Sequence, residues 1–126
     1  MKFSDLGLSE GLSRAVADLG YETPTPIQEK SIPIVLMGRD ILGSAQTGTG
    51  KTASFTLPMI DILASGRAKA RLPRSLILAP TRELAAQVAD SFEKFSVNNK
   101  LSMALLIGGV SFADQNAALS KGVDVL

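Results

Sequence analysis

The stretch Ala45-Gln46-Thr47-Gly48-Thr49-Gly50-Lys51-Thr52 decides how this chain folds. It follows residues 40–43, which we predict to be a buried strand, and it precedes residues 53–64, which we predict to be a buried helix. A glycine-rich turn between a strand and a helix directs backbone N–H groups and the positive end of the helix toward an anion. Lys51 can reach the outer phosphates of a nucleotide, and Thr52 offers a hydroxyl to Mg²⁺. This stretch, called the phosphate loop below, therefore predicts a nucleoside triphosphate site.

One position of the phosphate loop departs from the strict sequence pattern. The pattern has a glycine five residues before Gly50, and this chain has Ala45 there. In the alternative interpretation, Gly48 and Gly50 serve only the backbone geometry at the start of a helix. The strand before the loop and the helix after it favour the phosphate-binding interpretation.

Composition and charge limit the chemistry that the chain can perform. Its 126 residues suit one domain, and its net charge of +1 gives no overall basic field, although a local basic patch is compatible with it. The absence of cysteine and histidine excludes disulfides, imidazole acid–base catalysis and the usual zinc ligands within these residues. We find neither a signal peptide nor an apolar run long enough to span a bilayer, so we expect a cytoplasmic protein without a membrane partner.

The N-terminal part of the sequence predicts two helices. Apolar residues recur at helical spacing from residue 8 to residue 19, with Ser9 as the N-cap and Gly20 as the stop. Thr25-Pro26 opens a second helix, in which Gln28 completes a capping box, and which should run to about Met37.

Strands and helices then alternate along the rest of the chain. We predict strands at residues 75–79, 101–107 and 123–126 and helices at residues 81–95 and 111–120. This alternation predicts an α/β fold with a mainly parallel sheet and flanking helices. Ligands of such sheets bind beyond the carboxyl ends of the strands, so the phosphate loop, residues 80–82 and residues 108–109 should share one rim. Because the sequence stops inside an apolar strand, we expect a truncated domain.

Four segments resemble, in the same order, motifs of the DEAD-box RNA helicases. Residues 20–28 are similar to the Q motif, the phosphate loop to motif I, residues 80–84 to motif Ia, and residues 108–109 to the double-glycine motif. Alanine at the first position of motif I is usual in that family. The resemblance, with a bacterial type of sequence, implies that residues 1–39 form a helical Q-motif region. Residues 40–126 would then be the front half of the first RecA-like P-loop NTPase domain.

The resemblance also implies a set of residues that contact ATP and Mg²⁺. The implied nucleotide-binding residues are Phe3, Thr23, Gln28, Ala45, Gln46, Thr47, Gly48, Thr49, Gly50, Lys51 and Thr52. Lys51 and Thr52 would act in catalysis, with Thr52 reaching the metal at the nucleotide. Gln28 would recognise adenine through its amide, with helix capping as the alternative. Phe3 would stack on adenine, with a place in the core as the alternative.

A second implied set contacts RNA. Its members are Pro80, Thr81, Arg82, Gly108 and Gly109. They would bind the backbone of single-stranded or short duplex RNA independently of sequence. A plain N-cap at Thr81 and a plain turn at 108–109 are the alternatives. For the basic loop formed by Arg67, Lys69, Arg71 and Arg74, a solvated surface loop is favoured over an RNA contact.

The sequence lacks part of what phosphoryl transfer requires. Hydrolysis needs a further acid for Mg²⁺, a group that orients water and a cation for the developing charge. In the family these come from an Asp-Glu-Ala-Asp segment, a Ser-Ala-Thr segment and a second helicase domain, and this chain has no Asp-Glu pair. We therefore expect a parent ATP-dependent RNA helicase, a chain that alone binds ATP without hydrolysing it, and self-association through an exposed strand edge. The alternatives are a P-loop NTPase of another branch, such as a DNA helicase, and a non-catalytic RNA-binding module.

Overall fold

The computed structural model describes residues 1–46, 50–64, 74–99, 101–108, 112–121 and 123–126. Within these ranges the chain forms a short 3-10 helix, Phe3–Asp5, and the helices α1 (Glu10–Asp18), α2 (Pro26–Leu36), α3 (Lys51–Ala64), α4 (Arg82–Phe95) and α5 (Phe112–Lys121). Several predicted positions lie outside the described residues. They are Thr47, Gly48 and Thr49 of the phosphate loop, Arg67, Lys69 and Arg71 of the basic loop, and Gly109.

The predicted helix starts are confirmed. Ser9 directly precedes α1, and Thr25 directly precedes α2 with Pro26 at its first position. The helix α2 continues through Pro33, and α3 continues through Pro58. Thr81 caps α4, because its hydroxyl accepts a hydrogen bond from the Leu84 N–H at 3.1 Å.

The core is built around α3. The helix α2 packs along α3, while α1 and α4 pack against other parts of it. Side chains from all four helices form this core, among them Leu12, Val16, Ile32, Leu57, Ile60 and Phe92. The predicted burial of the helix at residues 53–64 holds for Leu57, Ile60 and Leu63, whereas Phe55 and Ile62 are partly exposed. The start of α3, and with it Lys51, is therefore held on a packed scaffold.

Three extended segments lie side by side next to these helices. Val125 forms isolated parallel bridges with Ser75 and with Met103, so residues 123–126 lie between the other two segments. The Leu126 N–H donates to the Ser75 carbonyl at 2.9 Å, and the Ala104 N–H donates to the Val125 carbonyl at 3.0 Å. The predicted mainly parallel sheet is present only as these bridges, because the described residues contain no continuous strand.

The prediction of a buried strand at residues 40–43 is wrong. Ile41 is exposed, and Leu42 is fully exposed at 101%. Residues 40–44 form no backbone hydrogen bond with another described segment. An extended segment buries its side chains only when neighbouring strands pair with it and other elements cover its faces. Among the described residues nothing pairs with this segment, and its apolar character alone does not make it a strand.

A hydrogen-bonded aspartate joins the extended segments to α3. Asp124 forms an ion pair with Arg74 at 2.9 Å, and Arg74 also donates to the Leu63 carbonyl at 3.0 Å. The Ser102 N–H donates to the other carboxylate oxygen of Asp124 at 3.0 Å. Arg74, predicted to belong to a solvated basic loop, therefore has a structural role here.

We expect Asp124→Asn to lower the free energy of unfolding at neutral pH by about 1–2 kcal/mol, because the replacement loses a charge-assisted pair. Burial acts to raise the pKa of Asp124, but the hydrogen bonds from Ser102 and Arg74 and the Arg74 charge outweigh it and hold the pKa below its usual value. The carboxylate thus stabilises the fold above the usual aspartate pKa of about 4, and this contribution is lost as the pH falls through the lowered pKa.

Urea unfolding between pH 6 and pH 2.5 tests this expectation about Asp124. The variant should lose less stability than the unaltered chain as the solution is acidified. Asp90→Asn is the matched control, since Asp90 forms an exposed ion pair with Lys94 one helical turn away. Identical acid dependence in Asp124→Asn and the unaltered chain would contradict the role assigned to this carboxylate.

Candidate nucleotide-binding site

The described end of the phosphate loop leads directly into α3. Gly50 has a φ of +81°, a left-handed conformation that L side chains rarely adopt, and α3 begins at Lys51. The first helical hydrogen bond runs from the Ser54 N–H to the Gly50 carbonyl at 3.3 Å. Lys51 is exposed, and Thr52 is half-buried beside it. The backbone N–H groups and positive dipole end of α3 therefore lie beside an accessible ammonium group, which is an arrangement suited to phosphate.

Gln28 connects α2 to the phosphate loop. Its side chain is buried, at 4% exposure. The amide oxygen accepts a hydrogen bond from the Thr25 N–H at 2.9 Å, and Nε2 donates to the Gly50 carbonyl at 3.1 Å. The capping interpretation is thus present in the structure, while recognition of adenine by Gln28 stays a prediction. The link to Gly50, 22 positions away, is a contact that the local sequence pattern did not indicate.

The space around Gly50 leaves no room for a side chain. A Cβ atom at this position would lie 2.2 Å from Gln28 Nε2 and 3.4 Å from Thr25 Oγ1. The Thr25 hydroxyl is buried and forms no hydrogen bond within the described residues. This hydroxyl faces the backbone N–H of Gln28 as part of the capping box at the start of α2.

Phe3 lies in the hydrophobic core, at 5% exposure. Its ring packs edge-on against Tyr21, with 6.3 Å between the centroids, and Tyr21 in turn contacts Phe95 at 5.9 Å. The Phe3 N–H donates to the Glu22 carbonyl at 3.3 Å, which ties the N-terminus to the segment before α2. The core alternative therefore describes Phe3 in this structure. Its stacking on adenine stays a prediction that requires a face of the ring to become accessible.

Tyr21 and Thr23 lie between Phe3 and Gln28 in the sequence. Thr23 is exposed, whereas Tyr21 holds its segment on the body of the protein through the two ring contacts. Ala45, the first residue of the phosphate loop, is half-buried, and Gln46 is exposed. The structure thus brings Gln28 and Gly50 into contact and leaves Thr23 accessible.

A second group of predicted residues borders one groove. Residues 76–82 and 103–108 line this groove, which has a volume of about 390 Å³. Pro80, Thr81, Arg82 and Gly108 are exposed, so the predicted RNA contacts that the structure describes lie around a shared surface. Gln115 of α5 donates to the Ile107 carbonyl at 2.9 Å and fixes the end of that segment.

Asp61 is a residue that sequence reasoning did not single out. It lies in α3, and its carboxylate accepts hydrogen bonds from the Ser9 N–H at 2.7 Å and the Ser9 hydroxyl at 2.6 Å. The N-cap pattern marked Ser9 but gave no sign of a partner on another helix. Only the tertiary arrangement of α1 and α3 brings the two residues together.

The described residues contain no cluster of three or more acidic, histidine or cysteine side chains that could hold a metal ion. In the described part of the chain no helix combines the length and the apolar character that crossing a membrane requires.

The sequence profile of the DEAD/DEAH box helicases matches residues 25–126. This chain belongs to the DEAD/DEAH box helicase family. It is 48% identical over 124 residues to the ATP-dependent rRNA helicase rrp-3 of Neurospora crassa, an alignment that covers 98% of this chain and 24% of that protein. The chain thus spans about a quarter of the length of the curated relatives it matches.

Solved structures of the helicase family share the fold. A DEAD box protein from the hyperthermophile Methanococcus jannaschii matches with a TM-score of 0.90 and 39% identity, over 100% of this chain and 34% of that one. The RNA helicase Prp28 from Chaetomium thermophilum, solved with bound ADP, matches with a TM-score of 0.86 and 39% identity, over 98% of this chain and 31% of that one. Because the chain belongs to the helicase family, Ala45 no longer argues against the phosphate-binding interpretation of the loop.

Proposed function

We propose that this chain is the ATP-binding part of an ATP-dependent RNA helicase. The observation that carries the proposal is the contact of Gln28 Nε2 with the Gly50 carbonyl at 3.1 Å, beside the start of α3. It joins a side chain capable of recognising a base to the end of a loop suited to phosphate. Family membership supports the same function.

Lys51, Thr52 and the first N–H groups of α3 would hold the triphosphate. Lys51 is exposed for contact with the outer phosphates, and Thr52 would hold Mg²⁺ together with them. A bound Mg²⁺ would neutralise charge on the phosphates. The Gln28 amide would exchange its bond with Gly50 for the adenine edge, where it can donate and accept at once.

The groove beside Thr81 and Arg82 would take the RNA backbone. The Arg82 guanidinium supplies charge, the start of α4 supplies N–H donors, and Gly108 allows close approach from the other side. Contacts of this kind do not read bases, so single-stranded and short duplex RNA should bind independently of sequence.

We also propose a RecA-like arrangement for the sheet. The parallel bridges at Val125 and the structural neighbours support a mainly parallel, RecA-like sheet with residues 1–39 as its helical Q-motif region. We propose that hydrolysis requires an Asp-Glu-containing segment and a second helicase domain. These 126 residues contain no Asp-Glu pair. The chain alone should then bind ATP without turning it over.

Lys51→Ala is expected to weaken ATP binding about tenfold to a hundredfold, because it removes a charge-assisted contact with phosphate. Isothermal titration calorimetry with ATP and Mg²⁺ measures the effect. Lys94→Ala is the matched control, since Lys94 lies in α4 and pairs with Asp90 on the surface. Equal heats of ATP binding for Lys51→Ala and Lys94→Ala would contradict the site.

The same titrations separate the competing functions. Equal affinities for ATP and GTP would favour a P-loop NTPase of another branch. Anisotropy measurements with a labelled single-stranded RNA, with and without a non-hydrolysable ATP analogue, test for an RNA-binding module, which would bind RNA regardless of nucleotide. An unaltered chain that gives no heat with ATP would overturn the proposed function.

A further inference from the structure

Asp61 fixes the start of α1 on the helix that begins at Lys51. Its two carboxylate oxygens each accept one hydrogen bond from Ser9, at 2.7 Å from the backbone N–H and at 2.6 Å from the hydroxyl. Both bonds are charge-assisted, and a negative charge at the first turn of a helix is favourable. The contact bridges 52 positions of sequence and involves no group of the phosphate loop.

A groove borders this corner of the molecule, where α1 begins. An open groove of about 500 Å³ separates the N-terminal turn from the ends of α2 and α3, and it is lined by Gly7, Ser9, Leu36, Asp61, Ile62 and Asn99, among others. Ser9 is exposed at the edge of this groove, and its bonds to Asp61 add to the packing of Leu12 and Val16 in holding the start of α1.

The start of α1 is connected to Gln28 through the N-terminal residues. The chain runs from Ser9 back to the 3-10 helix, and the Phe3 N–H there donates to the Glu22 carbonyl at 3.3 Å. From Glu22 the backbone leads to Thr25, whose N–H donates to the Gln28 side chain at 2.9 Å. Gln28 then contacts Gly50 at 3.1 Å.

Besides the packing of α1 and α2 on α3, side-chain hydrogen bonds link residues 1–28 to α3 and to the residue before it. One attachment is Gln28 at Gly50, and the other is Ser9 at Asp61, which lies ten residues after Lys51, or about 15 Å along the helix axis. If adenine takes the Gln28 amide from Gly50, the Ser9–Asp61 contact remains, together with the bond from Asn98 to the Gly11 carbonyl at 2.9 Å.

We propose that Asp61 is a positioning residue that sets where the adenine-recognising segment, residues 20–28, lies relative to the phosphate loop. The inference rests on the proposed function, since it concerns the same nucleotide site. Asp61 acts through Ser9 and touches neither phosphate nor base. Its loss should affect selection among bases and leave the affinity for the phosphate chain unchanged.

Asp61→Asn tests the inference, because a carboxamide offers one acceptor oxygen where the carboxylate offers two. We expect the preference for ATP over GTP to fall about three- to tenfold, the size of one typical hydrogen bond. The affinity for inorganic tripolyphosphate, measured by the same calorimetry, should stay constant. If Asp61 only stabilised the fold, its replacement would lower the melting temperature and would weaken the binding of ATP, GTP and tripolyphosphate together.

Two further variants complete the design of this experiment. Ser9→Ala keeps the backbone N–H bond, so it should give a smaller loss of preference, and the double variant should lose less than the sum of the two single losses. Ser9→Ala also tests the inference if Asp61→Asn does not fold. Asp90→Asn, a change of the same type on the exposed face of α4, should leave the preference unaltered.

The outcomes distinguish the two proposals. If the unaltered chain prefers ATP and Asp61→Asn and Ser9→Ala keep that preference, the positioning role is wrong and the nucleotide site stands. If tripolyphosphate affinity falls in parallel with ATP affinity, the positioning role is also wrong. If the unaltered chain shows no preference for ATP, adenine recognition and the inference built on it both fail.

Discussion

Gly50→Ala is expected to abolish measurable ATP binding and to lower the free energy of unfolding by about 3 kcal/mol. Two costs combine in this estimate. A φ of +81° is strained for alanine by about 1–2 kcal/mol. The new Cβ would also lie 2.2 Å from Gln28 Nε2 and 3.1 Å from its Cδ, so the Gln28 side chain must move and lose its hydrogen bonds to Thr25 and Gly50.

Gly38→Ala separates the two costs of the Gly50 substitution. Gly38 also has a left-handed conformation, with a φ of +76°, but no atom lies within 4 Å of a Cβ placed there. It follows α2 and is not one of the residues assigned to the nucleotide site. Gly38→Ala should therefore show only the backbone cost, about 1–2 kcal/mol, and normal ATP binding. Equal unfolding energies for the two variants, with ATP binding kept in both, would contradict the close packing of Gln28 against Gly50.

The helices could be predicted from sequence because their signals are local. Ser9, Thr25 and Thr81 each mark the residue before a helix, and the apolar spacing that follows each one extends over two or more turns. The segment 40–43 shows the opposite case. Its apolar residues suit a strand, but a strand is completed by neighbours far away in sequence. No described neighbour pairs with it, and Leu42 is exposed.

In the candidate site, too, a contact between residues close in sequence could be predicted, whereas contacts between separate helices could not. The sequence identified Gln28 and Gly50 separately, and it described the capping bond to Thr25 correctly because that bond spans only three residues. It did not connect Gln28 to Gly50 or Ser9 to Asp61, since those contacts depend on how α1 and α2 pack on α3. The resemblance alone implied a stacking position for Phe3, whereas its 5% exposure follows from packing against Tyr21 and the core.

Gln28→Ala is expected to erase the preference for ATP over GTP and to destabilise the chain by about 2 kcal/mol. The alanine removes the acceptor for the Thr25 N–H and the donor for the Gly50 carbonyl, and each lost bond costs about 1 kcal/mol. Nucleotide preference is measured by calorimetry with ATP and GTP, and stability by urea unfolding.

Gln28→Glu separates the helix cap from recognition of the base. A glutamate keeps an oxygen that accepts from the Thr25 N–H, so the capping contact should survive. It has no N–H to give to Gly50 or to adenine N7, and its charge is unfavourable beside the Gly50 carbonyl and a triphosphate. If Gln28 recognises adenine, both variants lose the preference for ATP, while Gln28→Glu retains more of the stability at the start of α2. If Gln28→Glu still prefers ATP to the same degree as the unaltered chain, Gln28 is a helix cap, and the selection of adenine must come from another residue.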